Sequence, residues 1–116
     1  MARFDGNSKI EANTLGLFGI KSYEPDYSAT ISVALTGGKL KHIIKPSTLT
    51  GNCTIDATFG DNVGDFEEVT LVLTADGTNR TVTPTGNVSG SAVVVTASTT
   101  KIVDAIIVAG KVILKS

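Results

Sequence analysis

Tryptophan is absent from this 116-residue chain, and cysteine, histidine and methionine each occur once. Aromatic residues make up only 5% of it, so the interior must be built from Val, Ile, Leu and Ala. A single cysteine excludes an internal disulfide, and Cys53 in a Thr-rich stretch is expected to be a small buried hydrophobe. One histidine and one cysteine cannot supply a zinc site in the usual ligand spacing. They leave one nucleophile–base pairing to consider, His42 facing Cys53 across adjacent strands, and a small hydrolase or isomerase would need that pair or His42 with Asp56. An ordinary strand histidine beside a buried thiol is the expected arrangement. No Gly-rich phosphate loop and no dinucleotide fingerprint is present. No apolar run approaches the ~20 residues that span a bilayer, and the first residues lack the apolar segment of a secretory signal. With a net charge of −1 and a pI near 5.7, there is no basic field for nucleic acid. The expectation is a soluble chain made in a cytoplasm, with no catalytic residues, no metal, no cofactor, no nucleic acid and no membrane.

What the chain does contain is β-branched residues. Val, Ile and Thr are stiff at χ1 and fit a pleated surface. From Ala29 onward, apolar and polar residues alternate in short runs: Ala29–Thr36, Lys39–Lys45, Cys53–Phe59, Val69–Thr74, Asn79–Thr83, Ser91–Ala97, Lys101–Val108 and Lys111–Lys115. Turn residues separate them. Thr36-Gly37-Gly38 and Ala109-Gly110 read as turns, and Asp76-Gly77 is a strong hairpin signal. The predicted fold is all-β: an antiparallel β-sandwich or jelly-roll-like barrel of about 7–8 short strands, spanning residues 29–116 as one domain.

Residues 1–28 differ in character. They lack sustained periodicity and read as an extended N-terminal arm holding at most one short strand. Four of the six aromatic residues lie there. Large side chains outside a patterned core commonly anchor onto another surface, which makes Phe4, Leu15, Leu17, Phe18, Ile20, Tyr23 and Tyr27 the candidate partner-binding residues. Charge is also uneven: between Lys45 and Arg80 stand Asp56, Asp61, Asp65, Glu67, Glu68 and Asp76 with no cation among them. A solvated acidic face is the simpler account, and complementary halves meeting between subunits the sharper one. The loop Asp61–Asp65 has oxygens enough to suggest calcium, but its spacing fits no EF-hand, and Asp, Asn and Gly dominate plain turns. The Asn-x-Ser/Thr tripeptides at Asn52, Asn79 and Asn87 read as chance matches in a Thr-rich chain.

The run from Gly64 through Asp76-Gly77-Thr78 to Thr81-Val82-Thr83, with the closing segment Lys101–Lys115, resembles a segment of small tailed-phage virion proteins of the capsid-decoration, head-fibre and tail-fibre type. The resemblance covers roughly residues 50–116. Fibre versions commonly end on an aromatic, where this chain has Val112, Ile113 and Leu114. It implies a β-sandwich or jelly-roll subunit, often trimeric, located in the virion after synthesis in the host bacterial cytoplasm. Its partners would be other virion proteins, the major capsid protein foremost, and copies of itself. The expected function is a capsid decoration or cement protein and not an enzyme. The alternative is a fibre or baseplate module that recognises host surface glycan.

Overall fold

The computed structural model describes residues 19–115. Ten strands run in chain order: β1 (Ile20–Tyr23), β2 (Thr30–Leu35), β3 (Lys41–Ile44), β4 (Cys53–Phe59), β5 (Glu68–Thr74), β6 (Arg80–Pro84), β7 (Val88–Ser89), β8 (Val93–Val95), β9 (Thr100–Val108) and β10 (Lys111–Leu114). They form a six-stranded sheet ordered β1-β3-β5-β9-β10-β7 and a four-stranded sheet ordered β2-β4-β6-β8. In the first three coils the chain alternates between the sheets. Each strand therefore lies beside the strand two places away in sequence, and the pairing is parallel: Ile20 faces Lys41, which faces Glu68, and Thr30 faces Thr54.

This is a mixed parallel β-solenoid of about four turns. It replaces the antiparallel sandwich or jelly-roll barrel expected from the sequence. The strand positions themselves agree closely with the alternation; the pairing does not. A solenoid coil buries one face of each strand and leaves the other in solvent, so its strands carry the in–out pattern usually associated with antiparallel sheets. Accordingly β2 alternates exposed and buried residue by residue.

The Asp76-Gly77 signal marks a corner and not a hairpin. Asp76 Oδ1 accepts the Thr78 N–H at 3.2 Å, and its carboxylate takes Arg80 through Nε and a terminal nitrogen, each at 2.9 Å. That side-chain-closed turn sends the chain across from β5 to β6 in the opposite sheet. The Arg80 hydrogen bonds hold the Asp76 carboxyl below the usual carboxylate range, and Asp76 raises Arg80 in return. A depressed carboxyl supports the fold above its unfolded value, and the support disappears as pH falls through the folded one. The pair is at the surface and only partly covered, so solvent screening keeps the effect small.

The same corner repeats up the stack. Ser47 N–H bonds Pro25 O at 3.0 Å, Leu49 N–H bonds Thr74 O at 2.8 Å, and Ala75 N–H bonds Thr99 O at 3.0 Å. Asparagines reinforce it: Asn52 Oδ1 accepts from Thr81 N–H and Asn79 Oδ1 from Ala97 N–H. Asn87 Nδ2 donates to Ala57 O further along. The three tripeptide asparagines are thus coil-to-coil bridges, each satisfying a backbone group that the corner geometry would leave unpaired.

After the third coil antiparallel pairing enters, with one further parallel pair between β10 and β7. β9 runs antiparallel to β5, β10 antiparallel to β9, and β8 antiparallel to β6. The Ala109-Gly110 hairpin expected from the sequence is present, and β10 lies inside its sheet between β9 and β7. Between the sheets the core is almost wholly aliphatic, with Ile31, Leu35, Ile44, Leu49, Ile55 and Leu71 at 2% exposure or less.

Cys53 belongs to that interior, buried at the start of β4. Desolvation pushes its thiol above the ordinary value. A raised thiol leaves stability unchanged below the unfolded value and lowers it as pH rises beyond, because the unfolded chain ionises first. The folded protein is expected not to react with a thiol-specific disulfide reagent at neutral pH, and to release one equivalent of chromophore on unfolding. Fast reaction of the native protein would show that Cys53 is not sealed in the core.

Candidate functional site

His42 is the buried polar side chain in the described core, with 0% exposure. β3 brings it there by simple alternation: Lys41 and Ile43 face outward, His42 and Ile44 inward. A buried imidazole needs partners on both nitrogens. Tyr23 Oη lies 2.9 Å from Nδ1 and Glu67 Oε1 lies 2.6 Å from Nε2. The Tyr23 and His42 rings stack with centroids 5.8 Å apart, and Lys21 Nζ sits 5.7 Å from the Tyr23 centroid. Tyr23 Oη also accepts the Thr36 N–H at 2.9 Å. One proton arrangement satisfies every group. Thr36 N–H donates to Tyr23, Tyr23 O–H donates to His42 Nδ1, and His42 Nε2–H donates to the Glu67 carboxylate. The second carboxylate oxygen, Oε2, accepts the Gly64 N–H at 2.7 Å.

The network joins β1, the end of β2, β3 and the loop before β5. Neither Cys53 nor Asp56 belongs to it. Cys53 sits in the other sheet, and Asp56 Oδ1 accepts the N–H groups of Ala57 and Asn87. With its imidazole sealed from solvent, the network acts as a brace on the loop from Gly60 to Glu67.

That loop lies at the second corner of the solenoid, opposite the asparagine corner. Gly60 N–H bonds Leu35 O at 2.9 Å, Gly38 N–H bonds Asn62 O at 3.3 Å, and Glu68 N–H bonds Leu40 O at 2.9 Å. Gly37 is required here, because any Cβ on it would collide with the backbone carbonyl of Asp61. The hairpin tip joins from the far side. Phe66 N–H bonds Ile107 O at 2.6 Å, Ile107 N–H bonds Glu67 O at 3.0 Å, and Ala109 N–H donates to Asp65 Oδ1 at 2.9 Å. Two large apolar side chains stand out from this corner, Leu40 at 73% exposure and Phe66 at 70%. Phe66 also has φ of 70°, a left-handed conformation that bulky residues rarely adopt.

Of the candidate partner-binding residues, Phe4, Leu15, Leu17 and Phe18 lie outside the described residues. Ile20 and Tyr23 are in β1, so the first strand of the six-stranded sheet comes from within residues 1–28. Tyr27 lies at the first corner and packs against the core. Its N–H donates to Ser47 Oγ at 2.7 Å and its hydroxyl to Asn52 O at 3.1 Å. Tyr23 and Tyr27 are therefore parts of the first coil. Asp61–Asp65 is a turn tied to its neighbours, and no group of three or more metal-ligating His, Cys, Asp or Glu occurs among the described residues. No described helix is long and apolar enough to cross a membrane.

Comparison of the chain with protein-family models, curated proteins and solved structures finds no match.

Proposed function

We propose that this chain is a structural protein of a tailed-bacteriophage particle, a capsid auxiliary that attaches to neighbouring capsid subunits and performs no reaction. One observation supports it most, the difference between the two ends of the solenoid. Each end leaves two edge strands, but at the C-terminal end they are short, β7 of 2 residues and β8 of 3. At the other end, β1 and β2 are 4 and 6 residues long and each has one strand neighbour among the described residues. The described part of the chain begins at that end, at Gly19, and Phe4, Leu15, Leu17 and Phe18 precede it in sequence. Very short edges at one end and longer ones at the other suit attachment through the longer edge strands and anchoring side chains. Association of copies about a closed axis, as a trimer, multiplies weak contacts into lasting ones.

The second reading, a fibre or baseplate module for host glycan, has Phe66 in its favour, since exposed rings stack on sugars. Deletion of residues 2–18 separates the two. It leaves Ile20 and the whole first coil in place, so the variant is expected to keep its thermal midpoint within a few degrees and fail to join particles. Incorporation equal to the full chain would overturn attachment through this end. Normal assembly combined with lost host adsorption would favour the fibre reading.

A further inference from the structure

Phe66 combines three properties that conflict unless the ring has a use. Its side chain is 70% exposed, so it gains little from burial within this chain. Its backbone has φ of 70°, where a glycine or asparagine would sit with less strain. Its position is nonetheless tightly held. The Phe66 N–H is bonded to Ile107 O, and its two neighbours in sequence are each tied down by their carboxylates. Asp65 takes the Ala109 N–H, while Glu67 takes His42 Nε2 and the Gly64 N–H. The loop is thus clamped from the hairpin tip on one side and from the buried imidazole on the other. Strain that survives in an over-determined setting directs attention to function.

We propose that Phe66, with Leu40 on the adjoining coil, is a pre-set anchor that inserts into an apolar recess of the capsid surface rimmed by cationic side chains. This rests on the capsid-auxiliary reading above and adds a second contact, on the corner of the coils, where the Leu40 N–H bonds Gly19 O at 2.7 Å beside the start of β1. Two observations select the partner. Leu40, 73% exposed, is aliphatic, and the carboxylates flanking the ring are engaged within the chain; a sugar-stacking ring would instead be surrounded by free hydrogen-bonding groups. Charge supplies the rest. The corner carries Asp61, Asp65, Glu67 and Glu68 against Lys39 and Lys41, which flank Leu40, with Lys41 opposite Glu68 in the register. The surplus across it is therefore negative, and complementarity asks for a positive rim on the partner. A rigid aromatic presented in its bound geometry loses little conformational freedom on docking.

The test uses the full-length chain and purified particles from a phage in which its gene is deleted. Wild type, Phe66→Gly, Phe66→Asn and Phe66→Tyr are titrated onto the particles, and each protein's thermal midpoint is measured. Glycine and asparagine both accept positive φ, so both variants are expected to melt at or above the wild-type temperature while binding at least tenfold more weakly. Tyrosine keeps the ring and is expected to bind within threefold. Raising salt is expected to weaken wild-type binding, as a cationic rim demands. Phe66→Gly and Phe66→Asn binding like wild type would overturn the anchor. So would a drop of several degrees in both, since the ring would then be serving the fold. If wild type does not bind these particles at all, the capsid reading falls and the anchor with it. Wild-type binding with Phe66 variants impaired only on a glycan array would assign the ring to sugar.

Discussion

Glu67→Ala is expected to destabilise the protein by about 2–3 kcal/mol, more than the loss of an ordinary surface carboxylate. The reason is what it leaves behind. His42 is fully buried with Nε2 aimed at Glu67 Oε1, 2.6 Å away, while Glu67 keeps 12% of its side chain exposed. Removing the carboxylate takes the acceptor from a donor held in an aliphatic interior, and frees the Gly64 N–H as well. His42→Leu removes the imidazole instead; Glu67 and the half-buried Tyr23 hydroxyl, which loses Nδ1 as its acceptor, both lie near enough to the surface to turn to solvent, so its cost is expected to be lower. In the double variant both polar groups are gone, and most of the Glu67→Ala penalty is expected to be absent. The double-mutant cycle should show a coupling of about 1–2 kcal/mol. Chemical denaturation checks it. Additive single costs would mean that the hydrogen bond contributes nothing and the network is incidental.

Leu49→Ala is expected to have a still larger effect, about 3–4 kcal/mol within the range for buried leucines. Leu49 is 0% exposed although it lies outside the strands, at the corner between β3 and β4. Its backbone is pinned on both sides of the side chain. Leu49 N–H bonds Thr74 O, and Asp76 N–H bonds Leu49 O at 3.1 Å. A cavity formed there cannot close by a shift of the corner without breaking the coil-to-coil ladder, so the full cavity penalty should be felt. Thr48→Ala, whose exposed residue is next in the chain, is expected to change stability by about 0.5 kcal/mol or less. For a domain of this size the Leu49 change corresponds to a midpoint shift of more than about 10 °C. A shift of one or two degrees would show that the corner relaxes freely.

His42 illustrates what a linear reading misses. It is the one histidine of the chain, and without a neighbouring base or nucleophile it offers no motif. Its partners are Tyr23, nineteen positions earlier, and Glu67, twenty-five later. Each is about one coil away. A search for recurrence at 20–30 residues was the available signal, but the step from Ile20 to Lys41 is shorter than that from Lys41 to Glu68, which blurs the period. The candidate anchors in residues 1–28 are marked in the sequence by their size and by their place outside the alternating strands, and neither feature distinguishes an anchor from a side chain of the first coil such as Tyr23 or Tyr27. Phe66 was visible only as part of a loop, since neither its exposure nor its positive φ leaves a mark on composition. The tripeptide asparagines carried no signal either, because a side chain that bonds the next coil looks the same in sequence as one in any turn.

By itself the sequence determined the all-β character, the positions of most strands, the aliphatic core and the hairpin at Ala109-Gly110. These follow from local rules: β-branched residues prefer extended backbone, alternation sets the buried face, and a short turn between strands brings them together. Only the tertiary structure decided which strands are neighbours. A strand with one buried face presents the same alternation whether it folds back on its predecessor or crosses to the opposite sheet and stacks in parallel on the coil below. At Asp76-Gly77 the chain crosses to β6 in the opposite sheet and does not fold back on β5, and the Asp76–Arg80 hydrogen bonds close that corner.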